Sequence, residues 1–170
     1  MVRECVAALL ALPAVSCSWI LDFSDSAIPR DAQVDGPYTQ AECDYKESND
    51  IVATAAAITP ADTGPAAICA GNVEDHDFYK FTVPAGTTKV EIRISTTYRP
   101  NGDLDLRLYD KTGGPARAQS TTFSDDEVII CPDSSIPPKC GTLPADDYVF
   151  EVFPVPPSVN SYTIALALTP

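Results

Sequence analysis

The sequence predicts an all-β fold of antiparallel strands, either a sandwich or a barrel. Between residues 77 and 110, three segments alternate apolar with polar residues, and Pro-Ala-Gly and Pro-Asn-Gly turns separate them. Alternation with a period of two is typical of antiparallel strands that have one buried and one solvated face. Further strand-like segments follow at residues 127–131, 148–153 and 161–168. No amphipathic helix of useful length is predicted beyond the N-terminal region.

Each strand is expected to contribute one row of side chains to the core. Burying one large apolar side chain stabilises the fold by about 1.5–3 kcal/mol, so several rows offset much of the conformational entropy of folding. Residues 51–58 are ambiguous between a short strand and a turn of helix, because alanine favours helix whereas Pro60 follows closely. The predicted rows are Tyr79, Phe81 and Val83; Val90, Ile92 and Ile94; Leu104, Leu106 and Leu108; and Tyr162, Ile164, Leu166 and Leu168.

The first sixteen residues have the features of an export signal. Arg3 is a small basic region, residues 6–12 are apolar, and Ala14-Val15-Ser16 are the small residues of a cleavage site. The apolar run is shorter than the roughly 20 residues that span a bilayer. Since Cys17 follows Ala-Val-Ser, the segment resembles the lipobox of bacterial lipoproteins, which implies lipidation of Cys17. The alternative is an ordinary secretory signal cut near Ser16.

A lipidated Cys17 would anchor the chain to a membrane through its acyl chains. We therefore expect a bacterial cell-envelope location, at the outer membrane or the cell surface. Residues 17–43, which are rich in Asp, Ser, Pro and Gly, are predicted to be a tether. The formal net charge of −13 argues against nucleic acid or an anionic membrane surface as a partner, because both attract basic patches.

The cysteine count indicates disulfides. Of six cysteines, Cys5 lies in the predicted signal and Cys17 is the predicted lipidation site, which leaves an even number in an exported chain. Three pairings are compatible with four cysteines; the short C-P-D-S-S-I-P-P-K-C segment favours a bond within it and hence a second bond between the other two. Zinc is disfavoured, because the sequence has no C-x-x-C pair. The favoured bonds are Cys131–Cys140 and Cys43–Cys69.

Several motifs occur in an order that resembles a known family. E-S-N-D at 47–50 is followed by D-F-Y-K-F-T-V at 77–83, D-L-D-L-R-L-Y-D at 103–110 and L-P-A-D-D-Y-V at 143–149. Together they resemble the bacterial pre-peptidase C-terminal domain, a module found behind secreted proteases, over residues 44–170. The resemblance implies an antiparallel β-sandwich of jelly-roll type without catalytic activity.

The same resemblance implies calcium. Related collagen-binding domains of bacterial collagenases hold calcium with an equivalent E-x-N-D segment and acidic residues just before the D-x-Y strand. Carboxylate and amide oxygens are the ligands that calcium prefers. The competing interpretation is that these side chains only cap turns. The metal ligands implied for this chain are Glu47, Asn49, Asp50, Glu74 and Asp77, and Asp75 belongs to the same acidic run.

No enzyme is predicted. His76 is the only histidine, the sequence contains neither G-x-S-x-G nor H-E-x-x-H, and His76 is expected to be a solvated loop residue. Asp103 and Asp105 are expected on a solvated strand face, paired with Arg93 or Arg107. Exposed aromatics that could contact a ligand are Tyr98, Tyr109, Phe123 and Trp19.

Two functions remain open after the sequence is read. The first is a non-catalytic, envelope-anchored module for binding or assembly at the cell surface, with a protein or polysaccharide ligand. The alternative is a calcium-stabilised accessory domain that supports a separately encoded secreted hydrolase.

Overall fold

Nine strands form two sheets in the computed structural model, which describes residues 39–43, 45–69, 75–96, 102–135, 139–155 and 158–170. One sheet has the order β1-β3-β8-β5-β6 and the other β2-β9-β4-β7. All pairings are antiparallel except that between β1 and β3. The strands are β1 (Ala56–Ala57), β2 (Pro65–Ile68), β3 (Asp77–Val83), β4 (Lys89–Thr96), β5 (Leu104–Asp110), β6 (Ala118–Ser120), β7 (Asp126–Cys131), β8 (Asp146–Pro154) and β9 (Asn160–Thr169).

The core lies between the two sheets and contains the predicted rows. In β3 and β4, burial alternates along the strand as the sequence pattern requires. The inward residues of both sheets belong to one hydrophobic cluster, which Leu168 contacts while partly buried. β8 is the central strand of its sheet and is buried on both faces from Tyr148 onward. The predicted all-β sandwich is therefore confirmed.

Short elements account for the ambiguous and unpredicted segments. Residues 51–58 contain a 3-10 helix (Val52–Thr54) followed by the two-residue strand β1, so both interpretations of this segment are partly right. β2 and β6, with the sequences Pro-Ala-Ala-Ile and Ala-Gln-Ser, were not predicted. Strands of three or four residues are too short to show a period-two pattern.

The segment before the sandwich is fastened to it. A short helix, α1 (Gln40–Cys43), ends at a disulfide to Cys69, which directly follows β2. The Tyr45 side chain packs against the core and covers Gly64, where an added Cβ would lie 2.8 Å from the ring. The second favoured disulfide, Cys131–Cys140, is also present.

The described residues do not include the predicted signal or most of the tether. Residues 1–16, the lipidation site Cys17 and the tether up to residue 38 lie outside them, as do Trp19, Tyr98 and Glu74. Within the part of the chain that the structure describes, no helix has both the length and the apolar character needed to cross a bilayer.

Candidate metal centre

Three carboxylates converge where the N-terminal segment meets the start of β3. One oxygen each from Glu47, Asp75 and Asp77 lies within 4.8 Å of the others, and we call this group the β3 cluster. Asp77 is the first residue of β3. The amide of Phe78 donates a 2.9 Å hydrogen bond to the backbone oxygen of Asn49, which fixes the position of the preceding segment. Two chain segments therefore supply the acidic groups.

Asp77 is the buried member of the β3 cluster, with 1% of its surface exposed. Burial raises the pKa of Asp77 well above its usual range, and the charges of Asp75 and Glu47 raise it further. The hydroxyl of Tyr162 donates a hydrogen bond to Oδ2 of Asp77, which opposes this rise. Tyr162 in turn lies 2.9 Å from the hydroxyl of Tyr79, so both tyrosines support the carboxylate from within the core.

The pKa values of the other two carboxylates, Asp75 and Glu47, are also raised. Burial raises the pKa of Asp75, whose Oδ2 accepts a 2.7 Å hydrogen bond from the amide of Cys69; the nearby charge of Asp50 raises it further. Burial likewise raises the pKa of Glu47, with a further contribution from the charge of Asp75. Three carboxylates in this space disfavour one another as anions, and a bound cation would remove that penalty.

The amide of Asn49 is buried in the middle of the β3 cluster, with 0% of its surface exposed. With Nδ2 turned toward the acids, it donates to Oδ1 of Asp77 at 3.1 Å and to Oε2 and Oε1 of Glu47 at 3.0 and 3.2 Å. Rotating the amide by 180° places Oδ1 at the same point. Asn49 can therefore satisfy the carboxylates as a donor or join them as a fourth oxygen ligand.

This donor set fits calcium. Calcium binds six to eight oxygens at about 2.3–2.6 Å, so two of its ligands lie at most about 5 Å apart. The oxygens of Glu47, Asp75 and Asp77 meet that limit. Backbone oxygens and water would complete the coordination, as they commonly do for calcium.

The cluster differs in composition from the predicted ligand set. Glu47, Asn49 and Asp77 are brought together as expected, whereas Glu74 lies outside the described residues. Asp50 is exposed and lies outside the group of three carboxylates. Asp75 takes part although the resemblance did not single it out. The acidic run itself was the available signal, and a single sequence does not specify which of its members faces the cluster.

Comparison with known proteins gives the family of this sandwich. The family model described as bacterial pre-peptidase C-terminal domain matches residues 75–152. Residues 75–152 therefore match the pre-peptidase C-terminal (PPC) domain family. The match begins at Asp75 and includes the D-x-D-L strand. It therefore contains Asp75 and Asp77 of the β3 cluster, whereas residues 47–50 lie before it.

Two similar proteins place the PPC domain in proteases. Pyrolysin from Pyrococcus furiosus is 29% identical over 94 residues, which are 54% of this chain and 7% of pyrolysin. The crystal structure of the pre-peptidase C-terminal domain of collagenase from Bacillus anthracis superposes with a TM-score of 0.51 at 12% identity, over 65% of this chain and 92% of that one. The second comparison supports the fold alone. The chain spans only a small part of pyrolysin.

His76 is not the solvated loop residue that we expected. Its Nδ1 lies 2.6 Å from Oε1 of Glu151, and its ring stacks on Phe78 and Phe153 at centroid distances of 6.5 and 6.2 Å. Glu151 is 3% exposed and its Oε2 also accepts a 2.6 Å hydrogen bond from the hydroxyl of Tyr109. The histidine contributes to the outer face of the β8 sheet, because Phe78 and Glu151 pair across β3 and β8.

The predicted position of Asp105 in the D-x-D-L strand was also wrong. Asp105 is 6% exposed and not on a solvated face. Arg107 forms its ion pair with Glu151 at 3.6 Å, and Arg93 with Glu91 and Asp126 at 3.4 and 3.5 Å. The sequence could not show that the loop after β6 approaches this end of β5. Of the proposed aromatic contacts, Tyr109 is partly buried and Phe123 is 86% exposed.

Proposed function

We propose that this chain is a non-catalytic accessory module whose N-terminal segment is fastened to its β-sandwich by calcium, and which supports a secreted hydrolase encoded separately. The PPC domain is a C-terminal module in proteases such as collagenase and pyrolysin. Nδ1 of the one histidine of the sequence lies 2.6 Å from the carboxylate of Glu151, which places this ring in a structural contact. The module is therefore expected to act by binding and positioning.

The β3 cluster is the observation that supports calcium. Glu47 comes from the segment before the sandwich, whereas Asp75 and Asp77 come from the start of β3. A cation shared among them would connect the two segments across the Phe78–Asn49 hydrogen bond. The same N-terminal segment is joined to the sandwich by the Cys43–Cys69 disulfide. Calcium binding would thus fix the direction in which the preceding chain leaves the domain.

Thermal unfolding of the full chain with calcium and with chelator tests this proposal. A ligand that binds only the folded state at about 100 times its Kd stabilises by about 2.7 kcal/mol, or roughly 10 °C in Tm for a domain of this size. We expect a rise of this order with calcium. Glu47→Gln and Asp77→Asn should each reduce the rise markedly, and Asp146→Asn, which removes a carboxylate outside the β3 cluster, should keep it in full.

A flat response would contradict the proposal. If the Tm of the unsubstituted chain is the same in calcium and in chelator, Glu47, Asp75 and Asp77 serve turn geometry only. Retention of the full calcium response by both Glu47→Gln and Asp77→Asn would also contradict it, because the cation would then bind elsewhere.

A second candidate function is binding or assembly at the bacterial cell surface through a lipid anchor. The Ala-Val-Ser-Cys sequence at residues 14–17 favours it. Acyl chains on Cys17 would retain the module at the membrane, where its ligand would be a protein or polysaccharide. Expression in a bacterium with a labelled fatty acid tests this: label on the chain and its loss in Cys17→Ser support the anchor, and a soluble unlabelled chain excludes it.

A further inference from the structure

We propose a second divalent-cation site, of the calcium type, formed by Asp103, Asp105 and Glu127. One carboxylate oxygen from each lies within 4.8 Å of the others, and we call this group the β5 cluster. Asp103 and Asp105 lie at the start of β5, whereas Glu127 lies in β7 of the other sheet. The site would therefore join the two sheets of the sandwich, and it shares no residue with the β3 cluster.

Asp105 supplies an observation that is independent of the clustering. It is 6% exposed, and its Oδ1 is buried without a hydrogen-bond partner among the described residues. An unsatisfied buried carboxylate oxygen is strongly unfavourable. Burial, followed by the charges of Asp103 and Glu127, raises the pKa of Asp105 to about 6. A cation placed between the three acids would satisfy the oxygen and remove the repulsion.

Glu127 is held as an acceptor of hydrogen bonds. Its side chain is buried, with 1% of the residue exposed. Oε2 accepts a hydrogen bond from the hydroxyl of Ser120 at 2.5 Å. Oε1 accepts hydrogen bonds from the amide of Thr122 at 3.2 Å and from the hydroxyls of Thr122 and Ser124. These four donors fix the orientation of the carboxylate. No lysine or arginine of the described segments forms an ion pair with Glu127 or Asp105; Arg107, whose charge acts on Asp105 from a greater distance, pairs with Glu151.

A second buried oxygen without a partner within the described segments belongs to Asn160 of β9, which contacts the turn before β5. Asn160 is 0% exposed; its Nδ2 donates to the backbone oxygen of Gly102 at 3.2 Å, while its Oδ1 is buried without a partner in the described part of the chain. The amide of Asp103 donates to the hydroxyl of Ser158 at 2.8 Å. These bonds fix the turn that carries Asp103. The two buried side-chain oxygens that lack a partner among the described residues thus belong to the β5 cluster and to a residue that contacts its turn.

The chemistry of these donors selects the class of ion. All are hard oxygens, three of them carboxylates, which suits calcium and not a metal that prefers nitrogen or sulfur. Acids from two different sheets can adapt to the irregular coordination that calcium tolerates. A bound ion would oppose separation of β5 from β7.

Counting calcium ions on the full chain tests the proposal. With calcium chloride as the probe, isothermal titration or native mass spectrometry should give two ions on the unsubstituted chain and one on Asp105→Asn. Glu47→Gln combined with Asp77→Asn should also leave one ion, bound at the β5 cluster, and all three substitutions together should leave none. These results separate the second site from the proposed first one.

A comparison of the Tm changes in chelator and in calcium distinguishes a ligand from a merely buried acid. In chelator, Asp105→Asn should raise Tm because it relieves repulsion with Asp103 and Glu127. In calcium, the same substitution should lose about half of the calcium-dependent rise. A buried acid with no ligand role would shift Tm equally in both conditions. Asp103→Asn, at a half-buried position, is the second variant if Asp105→Asn folds poorly, and Asp146→Asn is the control.

Two results would overturn the second site. One is a stoichiometry of one calcium ion or fewer on the unsubstituted chain. The other is an unchanged stoichiometry and an unchanged calcium-dependent Tm rise in both Asp105→Asn and Asp103→Asn.

Discussion

The backbone oxygen of Asn49 accepts a 2.9 Å hydrogen bond from the amide of Phe78, so the segment before the sandwich is aligned with the start of β3. Together with the Cys43–Cys69 disulfide, this bond holds Glu47 near Asp77. The acids are 30 residues apart in sequence (77 − 47) and adjacent in space. Calcium affinity at this site should therefore depend on docking of the N-terminal segment, because Glu47 separates from Asp75 and Asp77 when the segment detaches.

Removing the hydroxyl of Tyr162 should destabilise the protein and weaken calcium binding. Tyr162→Phe takes away the donor to Oδ2 of Asp77, which leaves a buried carboxylate oxygen unsatisfied at a cost of about 1–3 kcal/mol. Urea unfolding measures the loss. Tyr79→Phe is the matched control: it removes a hydroxyl from the same pair but keeps the bond to Asp77. Equal losses in both variants would argue against a special role for the Tyr162–Asp77 contact.

Opening the Cys43–Cys69 disulfide should reduce both stability and calcium affinity. The bond closes a loop with a sequence separation of 26, for which restriction of the unfolded chain contributes about 3–4 kcal/mol. The paired variant Cys43→Ser/Cys69→Ser should lower the free energy of unfolding by about this amount in chelator.

Calcium affinity in the same variant separates docking from global stability. Cys43 precedes Glu47 by four residues, so losing the bond frees the segment that carries this ligand. The matched control is Cys131→Ser/Cys140→Ser, whose loop lies away from the β3 cluster and should leave its affinity unchanged. A calcium affinity at the β3 cluster that both pairs reduce equally would contradict the docking argument.

The strands could be predicted because each inward row is visible in one segment of sequence. Leu104, Leu106 and Leu108 alternate with polar residues and are 0% exposed. The faces of the polar residues between them could not be predicted in the same way. Asp105 obeys the alternation and points away from Leu104, but residues outside its own strand bury it. Burial by a neighbouring loop leaves no periodic signal in the strand itself.

The candidate site was partly predictable for a related reason. Glu47, Asn49 and Asp77 are carried by motifs, and a motif indicates ligands when its residues are contiguous. By contrast, the inclusion of Asp75 in the β3 cluster and the contact of Glu127 with Asp105 depend on how loops and distant strands come together. A single sequence does not specify that arrangement. His76 illustrates the same limit: three of the four residues that flank it in sequence are acidic, yet its ring packs against Phe78 and Phe153.

Neutralising Glu151 should destabilise the outer face of the β8 sheet. Its carboxylate lies within hydrogen-bond distance of Nδ1 of His76, accepts from the hydroxyl of Tyr109 and pairs with Arg107 at 3.6 Å. Glu151→Gln keeps the shape and removes the charge, which should cost about 1–3 kcal/mol in denaturant unfolding. Glu91→Gln, a partly exposed acid with two basic neighbours, should cost less than about 1 kcal/mol. Similar losses in the two variants would show that burial of Glu151 has no energetic consequence.

Acid should weaken the Lys46–Asp62 contact in a defined pH window. Lys46 lies 2.9 Å from Oδ1 of Asp62, and the amide and hydroxyl of Thr59 each donate to Oδ2 at 2.8 Å. The bond to Lys46, followed by those to Thr59, lowers the pKa of Asp62 to about 2. A carboxylate whose folded-state pKa is below its unfolded value of about 3.9 stabilises the folded state fully above that value. Its contribution is lost as pH falls from about 4 to 2.

An NMR titration of the Asp62 carboxyl tests this assignment. Lys46→Met should raise the pKa of Asp62 toward its unfolded value. Asp62→Asn should remove the pH dependence of stability that Asp62 contributes. Because the side chain of Asp62 is 29% exposed, water screens the pair and its contribution should stay below about 1 kcal/mol. Lys111→Met, which breaks the surface pair with Asp146, is the control that leaves the Asp62 pKa in place. An Asp62 pKa near its unfolded value in the unsubstituted chain would show that Lys46 and Thr59 do not hold the carboxylate in solution.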